Sequence, residues 1–159
     1  MNCLRSLRHN FRQFLGLSSN QRSLLLRGLL YLPLAWLLLR TVGFSRLASF
    51  LLRPVADGRA SRVAPDWKKV SASARMVHLA ERYGIVPRNC LRRSLVLCYL
   101  LQRQGVASNL QIGVDCGGGN FQAHSWVEVD GLVVNDGQDV HERYTAFSGL
   151  AENLASRGG

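Results

Sequence analysis

The chain reads as an α+β domain with a helical N-terminal region, and three observations carry that reading. Up to Gly105 the apolar residues recur at helical spacing. After Gly105 the period shortens to two, the spacing of a half-buried strand. Helices and strands come in blocks rather than alternating, which favours an antiparallel sheet with segregated helices over a βαβ fold. The length of 159 residues suits one ordinary domain, able to bury a core without disulfide or metal support. Hydrophobic residues make up 47% and charged ones 19%, which excludes a wholly disordered chain.

Residues 1–53 read as helical. The densest apolar run, "GLLYLPLAWLLL" at 28–39, lies between Arg27 and Arg40. Its twelve residues fall short of a bilayer span of ~20. Pro33 predicts a kink or a helix boundary inside it. A signal peptide fits poorly, because the basic lead-in is long and no small-residue cleavage site follows. The Arg- and Ser-rich front also mimics an organelle transit peptide, but with unusually high apolar content. Two core-packing helices are expected, ahead of an interfacial membrane helix.

Charge is uneven. Residues 1–56 hold eight Arg and no Lys, Asp or Glu, so they supply about +8 of the formal +10. The remainder holds twelve basic and ten acidic residues. The front end therefore suits an acidic partner, such as a membrane surface, nucleic acid, or an acidic peptide or protein; a solvated basic face is the plainer alternative. No nucleic-acid recognition motif accompanies the charge, so nucleic acid is not an expected partner.

"PVADGRASRVAPD", residues 54–66, reads as a connection between a helical region at 1–56 and a core at 57–159. A helix follows, with Asp66 as N-cap, Val70, Ala74, Val77 and Ala80 on one stripe, and Gly84 at its end. His78 reads as a packed or surface histidine. The next helix has Asn89 as N-cap and Cys90 at its first position. Leu91, Leu95, Cys98 and Leu101 form its stripe, and Gly105 ends it. Then "SNLQIGV" predicts a strand, "DCGGGN" a loop, and "FQAHSWVEV" and "LVVND" a hairpin. The tail after Gly137 predicts a turn and a short helix around "FSGLAENLAS".

A nucleophilic thiol needs stabilisation of its charged form, a base within reach, and a group that orients the base. A helix N-terminus offers Cys90 unsatisfied N–H groups and the positive end of the dipole. Those N–H groups could also hold the oxyanion of an acyl-transfer intermediate. Leu91, Arg92 and Arg93 are candidates for the oxyanion or substrate site, the arginines adding positive charge. His124 and Asp136 supply base and orienter, and Asp139 is the rival orienter. Trp126 lies on the face of His124 if residues alternate, as wall of the site or as core filler. Taken singly, a cysteine at a helix start or a histidine on a strand is usually structural; the combination and order bring the chemical reading level with the structural one.

The turn decides the pair. A two-residue loop, Asp130-Gly131, sets Asp136 opposite Ser125. A three-residue loop, Val129-Asp130-Gly131, sets it opposite His124, where directly opposed Cβ atoms lie about 4.5–5.5 Å apart. A functional pair therefore predicts the three-residue loop, since a two-residue register without a compensating bulge would separate the two side chains. No metal and no cofactor are expected: Cys90, Cys98, Cys116 and His124 match no standard zinc spacing. Scattered spacing likewise favours four free thiols, Cys3 included, in a reducing compartment. "CGGGN" lacks the Lys-Ser/Thr ending of a phosphate loop.

"CLRRSLVLCYLLQRQGVASNLQIGV", "FQAHSWVEVDGLVVND" and the following "DV" closely resemble the transglutaminase-like leader peptidase of lasso-peptide biosynthesis. The resemblance covers residues 67–145, and less specifically the leucine- and arginine-rich front. It implies a papain/transglutaminase-like core and a bacterial cysteine peptidase that removes the leader from a ribosomally made precursor. The family's cysteine, histidine and aspartate fall on Cys90, His124 and Asp136. Ser125 stands where the family often has alanine. Some members carry a fused leader-recognition domain; the 53 leading residues here are too few and too apolar for one. The expected partners are thus the lasso-peptide precursor, a separate leader-binding protein and an ATP-dependent macrolactam cyclase. The expected location is cytoplasmic, with possible contact between the basic front and the inner membrane surface. Acyl transfer to an amine and a non-catalytic peptide- or membrane-docking adaptor are the alternatives.

Overall fold

A computed structural model describes residues 16–51, 64–115 and 122–146. Helices α1 (Ser19–Thr41), α2 (Phe44–Leu51), α3 (Trp67–Tyr83) and α4 (Cys90–Gln102) precede strands β1 (Asn109–Asp115), β2 (Gln122–Val129) and β3 (Leu132–Val133). A short helix α5 (Val140–Arg143) and strand β4 (Thr145–Ala146) complete them. The four strands form one antiparallel sheet in the order β3-β2-β1-β4. The α+β expectation holds. Cys3, Cys116, most of the 54–66 connection, and the helix expected around 147–156 lie outside the described residues.

Local chemistry sets the helix ends. Ser18 and Gln21 form a reciprocal capping box at the start of α1. Asp66 Oδ1 accepts the N–H groups of Lys68 and Lys69 at 3.1 and 3.3 Å and opens α3. Gly105, at φ +75°, ends the turn after α4 in the left-handed region that glycine tolerates. Pro33 does not break its helix: α1 runs through it, and the interruption comes at Gly43, φ +85°. Burial of Leu32 and Ala35, either side of Pro33, against the core holds the helix across the residue that disfavours it.

Helix α4 is the centre of the molecule. Leu95, Leu97, Cys98 and Leu101 are fully buried among α1, α3 and the sheet. A Cβ on Gly28 would come within 2.8 Å of the Ala80 Cβ, so α1 and α3 cross closely only because residue 28 is glycine. Val127 and Val129 of β2 face this helical core. Trp126 faces the other side, where it forms a second, small core with Val133, Val140, Tyr144 and Ala146. On this same face β1 carries Gly113, whose Cβ would lie 2.9 Å from the Trp126 ring.

The hairpin departs from the expected three-residue loop. Its pairs are Glu128↔Val133 and Val129↔Leu132, which leaves a two-residue turn. Asp130 and Gly131 both have positive φ, +49° and +76°, the geometry of a type I′ turn. That turn matches strand twist, and Asp-Gly is among its preferred pairs, so turn chemistry outweighs the register that would face His124 with Asp136.

Candidate active site

The entry to α4 is clamped before Cys90 is reached. Asn89 Oδ1 accepts the Arg92 N–H at 3.0 Å. Beneath it lies Glu81, 3% exposed. Its Oε1 accepts the Asn89 N–H at 2.9 Å, and its Oε2 accepts from Arg93 Nη1 at 3.1 Å. Arg92 is buried and its Nη2 donates to the Pro87 carbonyl. Burial lowers the Arg92 pKa, while the Glu81 charge opposes that shift. Both arginines expected at the substrate site thus hold the helix entry in place, Arg92 through Pro87 and Arg93 through Glu81. Leu91 packs half-buried on the helical core. Among the described residues, the backbone N–H groups of Cys90 and Leu91 have no hydrogen-bond partner in the protein, since the Asn89 cap takes the Arg92 N–H and leaves the first two free.

His124 and Asp136 meet, although the register separates them. His124 Nε2 lies 2.6 Å from Asp136 Oδ2, within hydrogen-bond reach. The chain reaches this point by leaving the ladder. Val134 still donates to the Val127 carbonyl at 3.0 Å, but Val127 N–H turns to the Asn135 side chain at 2.8 Å. From Val134 to Asp136 the backbone bends instead of pairing, and that swings the carboxylate back over His124. The other Asp136 oxygen accepts from Gly137 N–H at 2.8 Å and from Arg143 Nη2 at 3.2 Å. Burial raises the Asp136 pKa, but these bonds, His124 foremost, outweigh it and hold the carboxyl below its ordinary value.

The imidazole is also held from its faces. Tyr144 stacks on it with ring centroids 4.9 Å apart, and Trp126 lies 6.3 Å away at 22°. Trp126 is fully buried and its Nε1 donates to Glu128 Oε1 at 2.7 Å, so it fills the small core behind the histidine. Asp139 is exposed and pairs with Arg143 at 2.9 Å; the carboxylate on His124 is that of Asp136.

A side-chain relay joins the Cys90 helix to the His124 strand. Ser94 lies one turn after Cys90 on the same face of α4. Its hydroxyl donates to the Ser125 carbonyl at 3.0 Å and accepts from Asn135 Nδ2 at 2.9 Å. Asn135 and Ser94 therefore satisfy the β2 edge where β3 has ended. Cys90 itself is half-buried and carries a free thiol. A cavity of about 340 Å³ opens between α3 and α4, lined by Arg75, His78, Arg93, Leu97, Val134 and Asn135. Among the described residues no group of three or more His, Cys, Asp or Glu is placed to hold a metal ion.

Glu81, Ser94, Asn135, Arg143 and Tyr144 were not singled out from sequence. Only Arg143 left a signal, its i,i+4 spacing from Asp139. The others act across long stretches of chain that no local pattern links.

No curated protein matches the chain, and no solved structure does. Residues 29–148 match the family described as transglutaminase-like superfamily. That stretch includes most of α1, all of α4, and the His124–Asp136 pair. Family and fold agree, and the chain belongs to the transglutaminase-like superfamily.

Proposed function

We propose that this chain is a cysteine peptidase that removes the leader from a lasso-peptide precursor before a separate ATP-dependent cyclase closes the macrolactam. The observation that carries the catalytic part is the 2.6 Å bond between His124 Nε2 and Asp136, on a strand tied to the helix that Cys90 opens. Superfamily membership supports cysteine-based acyl chemistry. The lasso-precursor part rests on the resemblance over residues 67–145.

In this reading Asp136 fixes the imidazole through Nε2, which leaves Nδ1 for the thiol. His124 takes the Cys90 proton, and Sγ attacks the scissile carbonyl. The N–H groups of Cys90 and Leu91 face the developing oxyanion. The tetrahedral intermediate collapses to a thioester as the imidazolium protonates the leaving amine. Water, deprotonated by His124, then releases the acid and restores the thiol. A leader-binding partner would present the substrate in the cytoplasm.

The test is incubation of the full chain with a cognate precursor, with and without the leader-binding protein, read by mass spectrometry. Free leader and core masses are expected, and Cys90→Ala should yield neither. An intact precursor under every condition would rule the proposal out. The superfamily match also favours a second reading, aminolysis of the same thioester. An amine-linked product in place of a free acid would select it.

A further inference from the structure

Helix α1 is apolar on two opposite sides. Leu24, Leu25, Leu32 and Ala35 are buried in the helical core, where α1 meets α3 and α4. On the far side Leu26, Leu30, Leu34 and Leu37 are 57%, 64%, 46% and 50% exposed. Successive members of this set are three or four residues apart, so they form one stripe along the helix. Exposed Arg27 and Arg40 flank it, and Arg40 stacks over Trp36 at 4.8 Å. No Asp or Glu occurs in residues 1–56. A helix apolar all round is ordinarily covered all round, by protein or by lipid. An exposed stripe of this size marks a contact surface.

We propose that this stripe is the face by which the protein lies on an anionic bilayer, with α1 parallel to the membrane plane. The charge selects the partner. A formal +10 opposes a second copy of the chain and favours a negative surface. The four projecting side chains are purely aliphatic, whereas protein partners are usually held by aromatic, Arg and hydrogen-bonding anchors. Leucines entering the acyl boundary and arginines at the headgroups are the two signals that interfacial binding needs. The 23 residues of α1 are long and apolar enough to cross a membrane. Crossing, however, would strip Leu24, Leu25, Leu32 and Ala35 from the core and part Gly28 from Ala80. The helix therefore lies flat. The inference does not depend on the peptidase reading.

Co-sedimentation of the full chain with vesicles tests it. Binding to phosphatidylcholine vesicles containing one part phosphatidylglycerol to about two is expected, with little binding to phosphatidylcholine alone. Added salt should weaken it. Leu26→Gln/Leu30→Gln/Leu34→Gln/Leu37→Gln should reduce binding by more than about tenfold. Arg27→Gln/Arg40→Gln should reduce it by about fivefold per arginine. Circular dichroism should show both variants as helical as the parent, since every changed residue is exposed. The proposal fails if the parent stays in the supernatant with anionic vesicles. It fails equally if the leucine variant binds as tightly as the parent. Resistance to alkaline carbonate extraction would replace the flat helix with a spanning one.

Discussion

Two cysteines on one helix have opposite fates. Cys90 opens α4, half-buried, beside N–H groups without partners. Cys98 lies two turns on, fully buried, with the Ser108 hydroxyl donating to its sulfur at 3.5 Å. Burial pushes the Cys98 thiol up to about 12, with the Ser108 bond opposing. It is therefore a packing residue at any working pH. The element and side chain are the same, so position along the helix divides a partly accessible thiol from a packed one.

Breaking the first half of that comparison should have the largest effect. Cys90→Ala should lower precursor cleavage by about 10⁵-fold or more with melting temperature little changed, read by single-turnover mass spectrometry and calorimetry. Asp136→Asn comes next, with a loss of about 10²–10⁴-fold, because a carboxamide holds the imidazole without its charge. This variant also carries a pH signature. The Asp136 carboxyl is held low, so its stabilising contribution is present above the ordinary carboxylate value of about 4. It is lost as pH falls through the lowered value. The melting temperatures of parent and variant should differ at neutral pH and converge on acidification.

The clamp under the helix entry is third. Glu81→Gln removes the charge that holds Arg93 and should cost about 2–3 kcal/mol in urea unfolding, with Cys90 alkylation altered in step. An unchanged midpoint would show that the buried pair is dispensable. Cys98→Ala should cost about 1–2 kcal/mol and leave cleavage intact. With Cys3 and Cys116 replaced by Ser, iodoacetamide should label Cys90 in the native protein and reach Cys98 only after denaturation. Smallest is Ser125→Ala. The Ser125 hydroxyl is buried without a partner, so its loss should leave stability unchanged or raise it by up to about 1 kcal/mol.

The half of the site written in consecutive residues was legible. Asn89, Cys90 and the apolar stripe behind them announce a capped helix with a thiol at its mouth, because capping is a contact between near neighbours. The hairpin and its two polar ends were equally plain. Its register was not. The turn type rests on the positive φ of Asp130 as well as Gly131, and the exit from the ladder on one side chain, Asn135, replacing a backbone carbonyl. The arginines after Cys90 read as positive charge beside the thiol, but buried Arg92 bonds the Pro87 carbonyl and half-buried Arg93 pairs with Glu81. β4 has two residues, too few for a period, yet it follows directly on Tyr144, which stacks on His124.

By itself, then, the sequence determined the α+β class, the helix that presents Cys90, and the hairpin that carries His124, all set by interactions within a few positions. The tertiary structure alone decided that Asp136 meets His124, that Ser94 and Asn135 bind helix to strand, and that α1 keeps a leucine face outside. Each of these depends on burial and on partners brought together from distant parts of the chain, where neighbouring residues exert no control.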